Sequence, residues 1–200
     1  MVGVMGLIRC GRPGFKIVAS RSFREGGIGD PCARMMAMPV DIVPIEENHI
    51  DGFHRTLDIV ARERRYLAFL EAPPIETTRA FVRDNIKRGY PQLVAISAGE
   101  VIGWCDVTAK PRPIYGHGGV LGMGLLPQFR RRGIGNDLIR RSLIAAKAFG
   151  FHRVELTVRE RNSNALELYK KVGFEIEGVQ RDAVQIDGVY ENLILMAVLF

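Results

Sequence analysis

Two hundred residues, 47% of them hydrophobic, suffice for one domain with a sizeable core. The formal charge of +6 is unevenly spread: residues 1–37 hold Arg9, Arg12, Lys16, Arg21, Arg24 and Arg34 against Glu25 and Asp30, so the remainder carries only +2, too little for a general polyanion binder. No apolar run reaches the length of a membrane span, and Cys10, Cys32 and Cys105 allow no framework of bridges in the body, which suits a reducing cytoplasm.

Residues 1–37 are rich in Gly, Arg and Ser and show no sustained period. They read as a flexible extension or as sequence upstream of a true start at Met36 or Met38, leaving 38–200 as the domain. Val40, Ile42 and Ile45 alternate like a strand, and Ile50, Phe53, Leu57 and Val60 follow at helical spacing. Pro73-Pro74 breaks the pattern before a second helix over 75–88. Strands are predicted over 92–97 and 101–107, around the short turn Ala98-Gly99-Glu100. Lys110 to Pro113 is a loop, and Val120 to Leu126 is a buried strand closed by Pro127.

A helix then runs from Ile134 to about Phe149, with Ile134, Leu138, Ser142, Ala145 and Phe149 on one face. Val154, Leu156 and Val158 alternate as a strand. Asn164 with Glu167 matches a capping box, so the next helix is predicted to start there, with Asn162 outside the cap. Two strands, 174–179 and 189–198, close the chain around Asp187-Gly188. The histidines are scattered: His49 and His54, five apart on a predicted helix, face different ways. With no Cys-x-x-Cys or His-x-x-x-His, no metal is expected.

The chemistry concentrates between the central strand and its helix, at Gln128-Phe129-Arg130-Arg131-Arg132-Gly133-Ile134-Gly135-Asn136. The first N–H groups of a helix have no internal partner and lie at the positive end of its dipole. Glycines there let a ligand press against backbone. Such a turn is a seat for phosphate or pyrophosphate. Neither a Walker loop nor a dinucleotide fingerprint is present.

Arg130, Gly133 and Gly135, as Arg-x-x-Gly-x-Gly, together with Asn162, Ala165, Tyr169, Gly173 and Phe174, as Asn-x-x-Ala-x-x-x-Tyr-x-x-x-Gly-Phe, resemble the two signatures of the GNAT N-acetyltransferases. The resemblance covers residues 40–199. It implies an α/β fold with a single mixed, mostly antiparallel sheet, splayed around an acetyl-CoA cleft and flanked by helices. It implies that the pyrophosphate sits on the amides of Arg131 to Asn136, beside Arg130, Arg132, Gly133, Ile134 and Gly135. The pantetheine arm would run along Gly124, Leu125 and Leu126, with Asn162 on its far side. Tyr169 would protonate the leaving thiolate, and the Leu125 N–H would hold the oxyanion.

The central strand, Gly118 to Leu126, carries no carboxylate for a general base. His117, at its mouth, is the candidate, with Asp106 and Glu155 on neighbouring strands. The acceptor pocket is expected from 64–74 and from the last hairpin, including Tyr190 and Glu191. The expected activity is direct transfer of the acetyl group of acetyl-CoA to a primary amine, such as an amino acid or a peptide N-terminus. The alternative is a non-catalytic acyl-CoA-binding module on the same fold. Nucleic acid and membrane are not expected partners, and a homodimer is the assembly considered.

Overall fold

The computed structural model describes residues 39–200; the expectations for 1–37, Cys10 and Cys32 included, lie outside them. The elements are β1 (Asp41–Pro44), α1 (Ile50–Arg62), α2 (Ile75–Arg88), β2 (Gln92–Ser97), β3 (Glu100–Ala109), β4 (Gly118–Leu125), α3 (Ile134–Phe149), β5 (Arg153–Arg159), α4 (Ser163–Lys171), β6 (Glu175–Ile186) and β7 (Val189–Leu199). Their order is the one the sequence predicts.

The strands form one sheet in the order β1-β2-β3-β4-β5-β7-β6. Every neighbouring pair is antiparallel except β4 and β5, which run parallel. That parallel ladder joins only Gly118 to Arg153, Gly119 to Val154 and Val120 to Glu155. Meanwhile β4 stays paired with β3 as far as Leu125, and β5 with β7 as far as Arg159. Past Val120 the two halves of the sheet therefore part, leaving a wedge with backbone along its sides.

Each face has its own core. On one, α1 buries Ile50, Phe53, Leu57 and Val60 against Val94, Val101 and Trp104, with Phe53 edge-on to the indole at 5.5 Å. On the other, α3 buries Ile134, Leu138, Ile139, Ser142, Leu143 and Ala146 against Cys105, Leu121, Leu125, Val154 and Met196. The predicted stripe through Ala145 and Phe149 is thus shifted by one residue. Ala146 faces the sheet, and Phe149 lies at the margin against Tyr90 and Phe151.

Two boundaries also differ from expectation. Helix α4 starts at Ser163, and Asn162 is its N-cap, its side chain accepting from the Ala165 N–H at 3.3 Å. Asn164, in the first turn, does not cap; the Asn-x-x-Glu spacing imitates a capping box two residues late. Strand β6 continues to Ile186 through a register shift between Gln180 and Val184, where Asp182 has φ 49° and its N–H donates to Asn192 Oδ1. A polar bulge breaks the alternation that would have revealed those residues.

Candidate functional site

A cavity of about 450 Å³ opens into the wedge, lined by Met123, Gly124 and Leu125 of β4, by Arg131, Gly133, Gly135 and Asn136 of the basic turn, and by Asn162 and Tyr169 from α4. The turn forms as the sequence requires. Pro127 to Phe129 make one 3-10 turn, Arg131 takes φ 60°, and Gly133 caps α3 at φ 83°. The Asp137 N–H bonds the Gly133 carbonyl at 3.1 Å, so the preceding N–H groups at the helix start have no acceptor within the helix. They end at the cavity. Ile134 is not on the cavity wall, and its side chain is buried in the core. Arg132 stacks its guanidinium over Phe129, 5.7 Å from the ring centre, and does not line the cavity.

The pairing of β4 with β3 decides which of its backbone groups face the wedge. The Leu126 N–H donates to the Ile102 carbonyl at 2.9 Å, and the Lys110 N–H to the Gly118 carbonyl at 3.4 Å. Backbone groups alternate sides along a strand, so the even-numbered residues between them bond β3. Leu121, Met123 and Leu125 turn their N–H and C=O groups the other way, into the wedge. This corrects the expectation for Leu126: its N–H is used by Ile102 and its carbonyl accepts from Phe129. Gly124 bonds β3 instead, and its lack of a side chain makes room for the Trp104 indole, since a Cβ there would lie 2.2 Å from Trp104 Cη2. Met123, which sequence reasoning passed over, takes the place of Leu126. Only the strand register could have found it.

Arg130 also lines the cavity, but its guanidinium is engaged by protein groups. Its Nε donates to the Leu125 carbonyl at 2.8 Å, its guanidinium grips both oxygens of Glu63 at the end of α1, and the Tyr66 ring lies beneath it at 4.8 Å. The motif arginine thus fixes the last peptide of β4 and ties it to the α1–α2 loop. Glu63 and Tyr66 have no signature of their own in the sequence. We expect Arg130→Gln and Glu63→Gln each to destabilise the protein by roughly 1–3 kcal/mol, since each leaves a partly buried group without its partner. The double variant should be less destabilised than the sum of the two, measured by urea unfolding.

Tyr169 lies in α4 with 8% of its surface exposed, its ring 5.8 Å from Phe174 and its side chain on the cavity wall. Burial pushes its phenol up, so it holds its proton throughout the physiological range. Cys105 is fully buried on the same side, and burial raises its thiol well above the usual range. That thiol is no nucleophile. His117 is not brought to the cavity: it precedes the first residue of β4, at the closed end of the wedge, and its carbonyl accepts from His152 and Arg153. Leu125 lies eight residue steps along the strand from it, about 26 Å. The expectation of His117 as base fails on that distance.

On the face opposite α3, the α1–α2 loop meets the β6–β7 hairpin. Arg159 donates to the Arg64 carbonyl at 2.7 Å and Arg64 to Asp187 at 2.7 Å, while Arg159 also grips Glu191, which accepts from the Arg161 N–H. Glu155 is held low by Lys110 and Arg153 against the opposing effect of burial. Asp106 differs. Burial raises it to about 7, opposed only by a hydrogen bond from Trp104. Between pH 4 and 7 the folded state therefore keeps a proton that the unfolded state has lost, so this group makes stability fall as pH rises through that window and leaves it level above. Asp106→Asn should be more stable relative to wild type at pH 8 than at pH 5, by about 2–4 kcal/mol. Chemical denaturation of both proteins at both pH values checks this.

The profile of the Acetyltransferase (GNAT) family matches residues 55–174. The chain is 33% identical over 110 residues to L-amino acid N-acetyltransferase AaaT of Escherichia coli, covering 54% of this chain and 68% of that one. It is also 33% identical over 109 residues to N-alpha-acetyltransferase RimI of Mycobacterium tuberculosis, covering 54% and 67%. Among solved structures, a GNAT-family acetyltransferase from Streptococcus pneumoniae superposes with a TM-score of 0.76 at 26% identity, over 81% of this chain and all of that one.

Proposed function

Because the chain belongs to the GNAT acetyltransferase family, in which acetyl-CoA is the acyl donor and an amine the acceptor, we propose that its acceptor is an α-amine, that of a free amino acid or of a peptide N-terminus. The named activities of the two relatives at 33% identity support this class. In this reading the helix start of α3, from Arg131 to Asn136, seats the pyrophosphate. The exposed edge of β4 at Met123 and Leu125 receives the pantetheine amides as a further strand would. Asn162 and Asn164 stand on the opposite wall of the cavity, where their amides can meet the arm.

The observation that carries the mechanism is the convergence of the Leu125 edge and Tyr169 on one cavity. A neutral amine attacks the acetyl carbon, and the oxygen that becomes negative is met by the Leu125 N–H, fixed in place by Arg130. Collapse breaks the C–S bond, and Tyr169 gives its proton to the departing sulfur. The reaction is a direct transfer, with no acyl-enzyme.

No helix among the described residues is long and apolar enough to cross a membrane, and we place the protein in the cytoplasm. The test is thiol release from acetyl-CoA with free amino acids, short peptides, polyamines and an aminoglycoside as acceptors. Turnover with amino acids or peptides supports the α-amine reading. Turnover confined to polyamines or the aminoglycoside would overturn it.

A further inference from the structure

An α-amine, with a pKa of about 8, is mostly protonated at neutral pH and must lose a proton before it can attack. β4 offers no carboxylate for this, and His117 lies at the wrong end of the strand. Three acidic groups near the site are committed: Glu63 to Arg130, Glu191 to Arg159, Glu155 to Lys110 and Arg153. Two carboxylates near the site are in none of these pairs: Glu167, exposed on α4 at the rim of the cavity, and Asp106, which is buried beside β4.

Asp106 faces Gly122 across the β3–β4 register. Residues directly opposite share a face, and here it is the face of Trp104, away from α3. A Cβ on Gly122 would lie 3.3 Å from one carboxyl oxygen of Asp106 and 3.4 Å from the other. The carboxylate therefore leans over the strand that carries no carboxylate of its own, and any side chain at Gly122 would press on it. Gly122 is half-buried, and Asp106 keeps 9% of its surface exposed. By alternation Glu155, Thr157 and Arg159 of β5 share this face, and over Arg159 the α1–α2 loop and the β6–β7 hairpin meet.

A second observation points to the same spot. Gln92 is opposite Asp106 on β2. The Val107 N–H bonds the Pro91 carbonyl at 2.7 Å, so by alternation Gln92 and Asp106 form the closer, non-hydrogen-bonded kind of pair. The Gln92 side-chain oxygen accepts from Asn85 at 2.8 Å, which fixes the amide, yet its buried Nε2 has no partner. Gln92 is 3% exposed. A buried donor without an acceptor is costly and rare, and a water held between Nε2 and the Asp106 carboxyl would satisfy it.

We propose that Asp106 accepts the proton of the acceptor ammonium, relayed by water past Gly122. The inference rests on the α-amine acetyltransferase reading. Gly122 stands three residues from Leu125, about 10 Å along the strand, and a relay of two or three waters would pass beside the Trp104 ring, which covers Gly124. The groups placed against the carboxylate are uncharged: Gln92 from β2, Gly122 from β4 and Trp104 beside it, with Asn85 of α2 behind Gln92. Of the neighbouring ion cluster, Arg153 and Glu155 are on β5, two strands away, and Lys110 follows the end of β3, four residues from Asp106; Lys110 and Arg153 both pair with Glu155. Burial alone, then, sets the group near neutrality, the range in which a general base works best.

The protons balance. The ammonium gives one to Asp106, which returns it to solvent. The neutral nitrogen forms the N–C bond, and the C–S bond breaks with its electron pair on sulfur. Sulfur takes the proton of Tyr169, and the second proton lost by nitrogen restores Tyr169 through solvent.

The test compares wild type with Asp106→Asn between pH 6.5 and 9.5, using acetyl-CoA with alanine and an alanyl peptide as acceptors. At pH 7 the variant should lose about 10²–10³-fold in kcat/KM. Toward pH 9.5, where a peptide N-terminus of pKa about 8 arrives neutral, the defect on the alanyl peptide should shrink to within about tenfold. The rise in melting temperature with acetyl-CoA should match wild type, since Asp106 lies outside the cofactor seat, while the melting temperature itself shifts with pH as the burial of Asp106 requires. A defect constant across pH means a structural role and overturns the proposal, as does wild-type activity in the variant. Wild-type protein inactive on both acceptors overturns the α-amine reading and this role with it. Gly122→Ala, which crowds the carboxylate, should show the same pH-dependent loss.

Discussion

Tyr169→Phe is expected to lower kcat by about 10²–10⁴-fold, with acetyl-CoA binding and melting temperature held within error of wild type. The exchange removes one oxygen and keeps the ring, so the contact with Phe174 and the buried surface of α4 persist. Because burial raises the phenol, Tyr169 keeps its proton at neutral pH, which suits it to the proposed donor role and not to that of a base. The loss should accordingly fall on thiolate departure, and kcat should drop while the KM for acetyl-CoA stays near its wild-type value. A donor thioester whose thiol is more acidic needs less help to leave. An activated acyl donor such as an acetylated thiophenol should therefore recover part of the lost rate. If kcat is unchanged, Tyr169 is only a core aromatic and the departing sulfur takes its proton from water.

The parts of this site legible in the sequence are those encoded by local spacing. Gly133 and Gly135 after a strand, and Asn162 seven residues before Tyr169, are each read along one stretch of chain, and the structure brings them to one cavity. What escaped was set by pairing between distant segments. Whether Leu125 or Leu126 turns its N–H to the wedge depends on the bond from Leu126 to Ile102, a parity that no single strand declares. The function of Arg130 depends on Glu63, 67 residues away. Asp106 was legible only as an acid on a neighbouring strand, because its position over Gly122 follows from the β3–β4 register. Even the capping error is of this kind: Asn162 and Asn164 both suit a cap, and the end of β5 at Arg159 leaves the turn that selects the first.

Gly135→Ala should separate what α3 needs from what its ligand needs. Gly135 is the second residue of the helix and is not among the glycines with positive φ, so its backbone conformation suits alanine. A Cβ there would lie 3.5 Å from Leu168 Cδ2 and 3.7 Å from Met123 Cε, ordinary contacts that displace nothing. For the protein alone the exchange is therefore favourable, by about 0.5–1 kcal/mol of helix propensity, or roughly 1–4 °C in melting temperature. Leu168 and Met123 both line the cavity, so the added methyl stands where an oxygen of the pyrophosphate would approach the helix amides. Each charge-assisted bond lost is worth about 1.5–3 kcal/mol, so acetyl-CoA affinity should fall about 10- to 100-fold. Melting curves with and without acetyl-CoA read both effects: the free protein should melt higher than wild type and gain less from the cofactor. If the variant binds acetyl-CoA as tightly as wild type, the pyrophosphate does not rest on the start of α3. The glycine would then be there for the helix or the turn, and the anion seat would have to be sought elsewhere along the cavity wall.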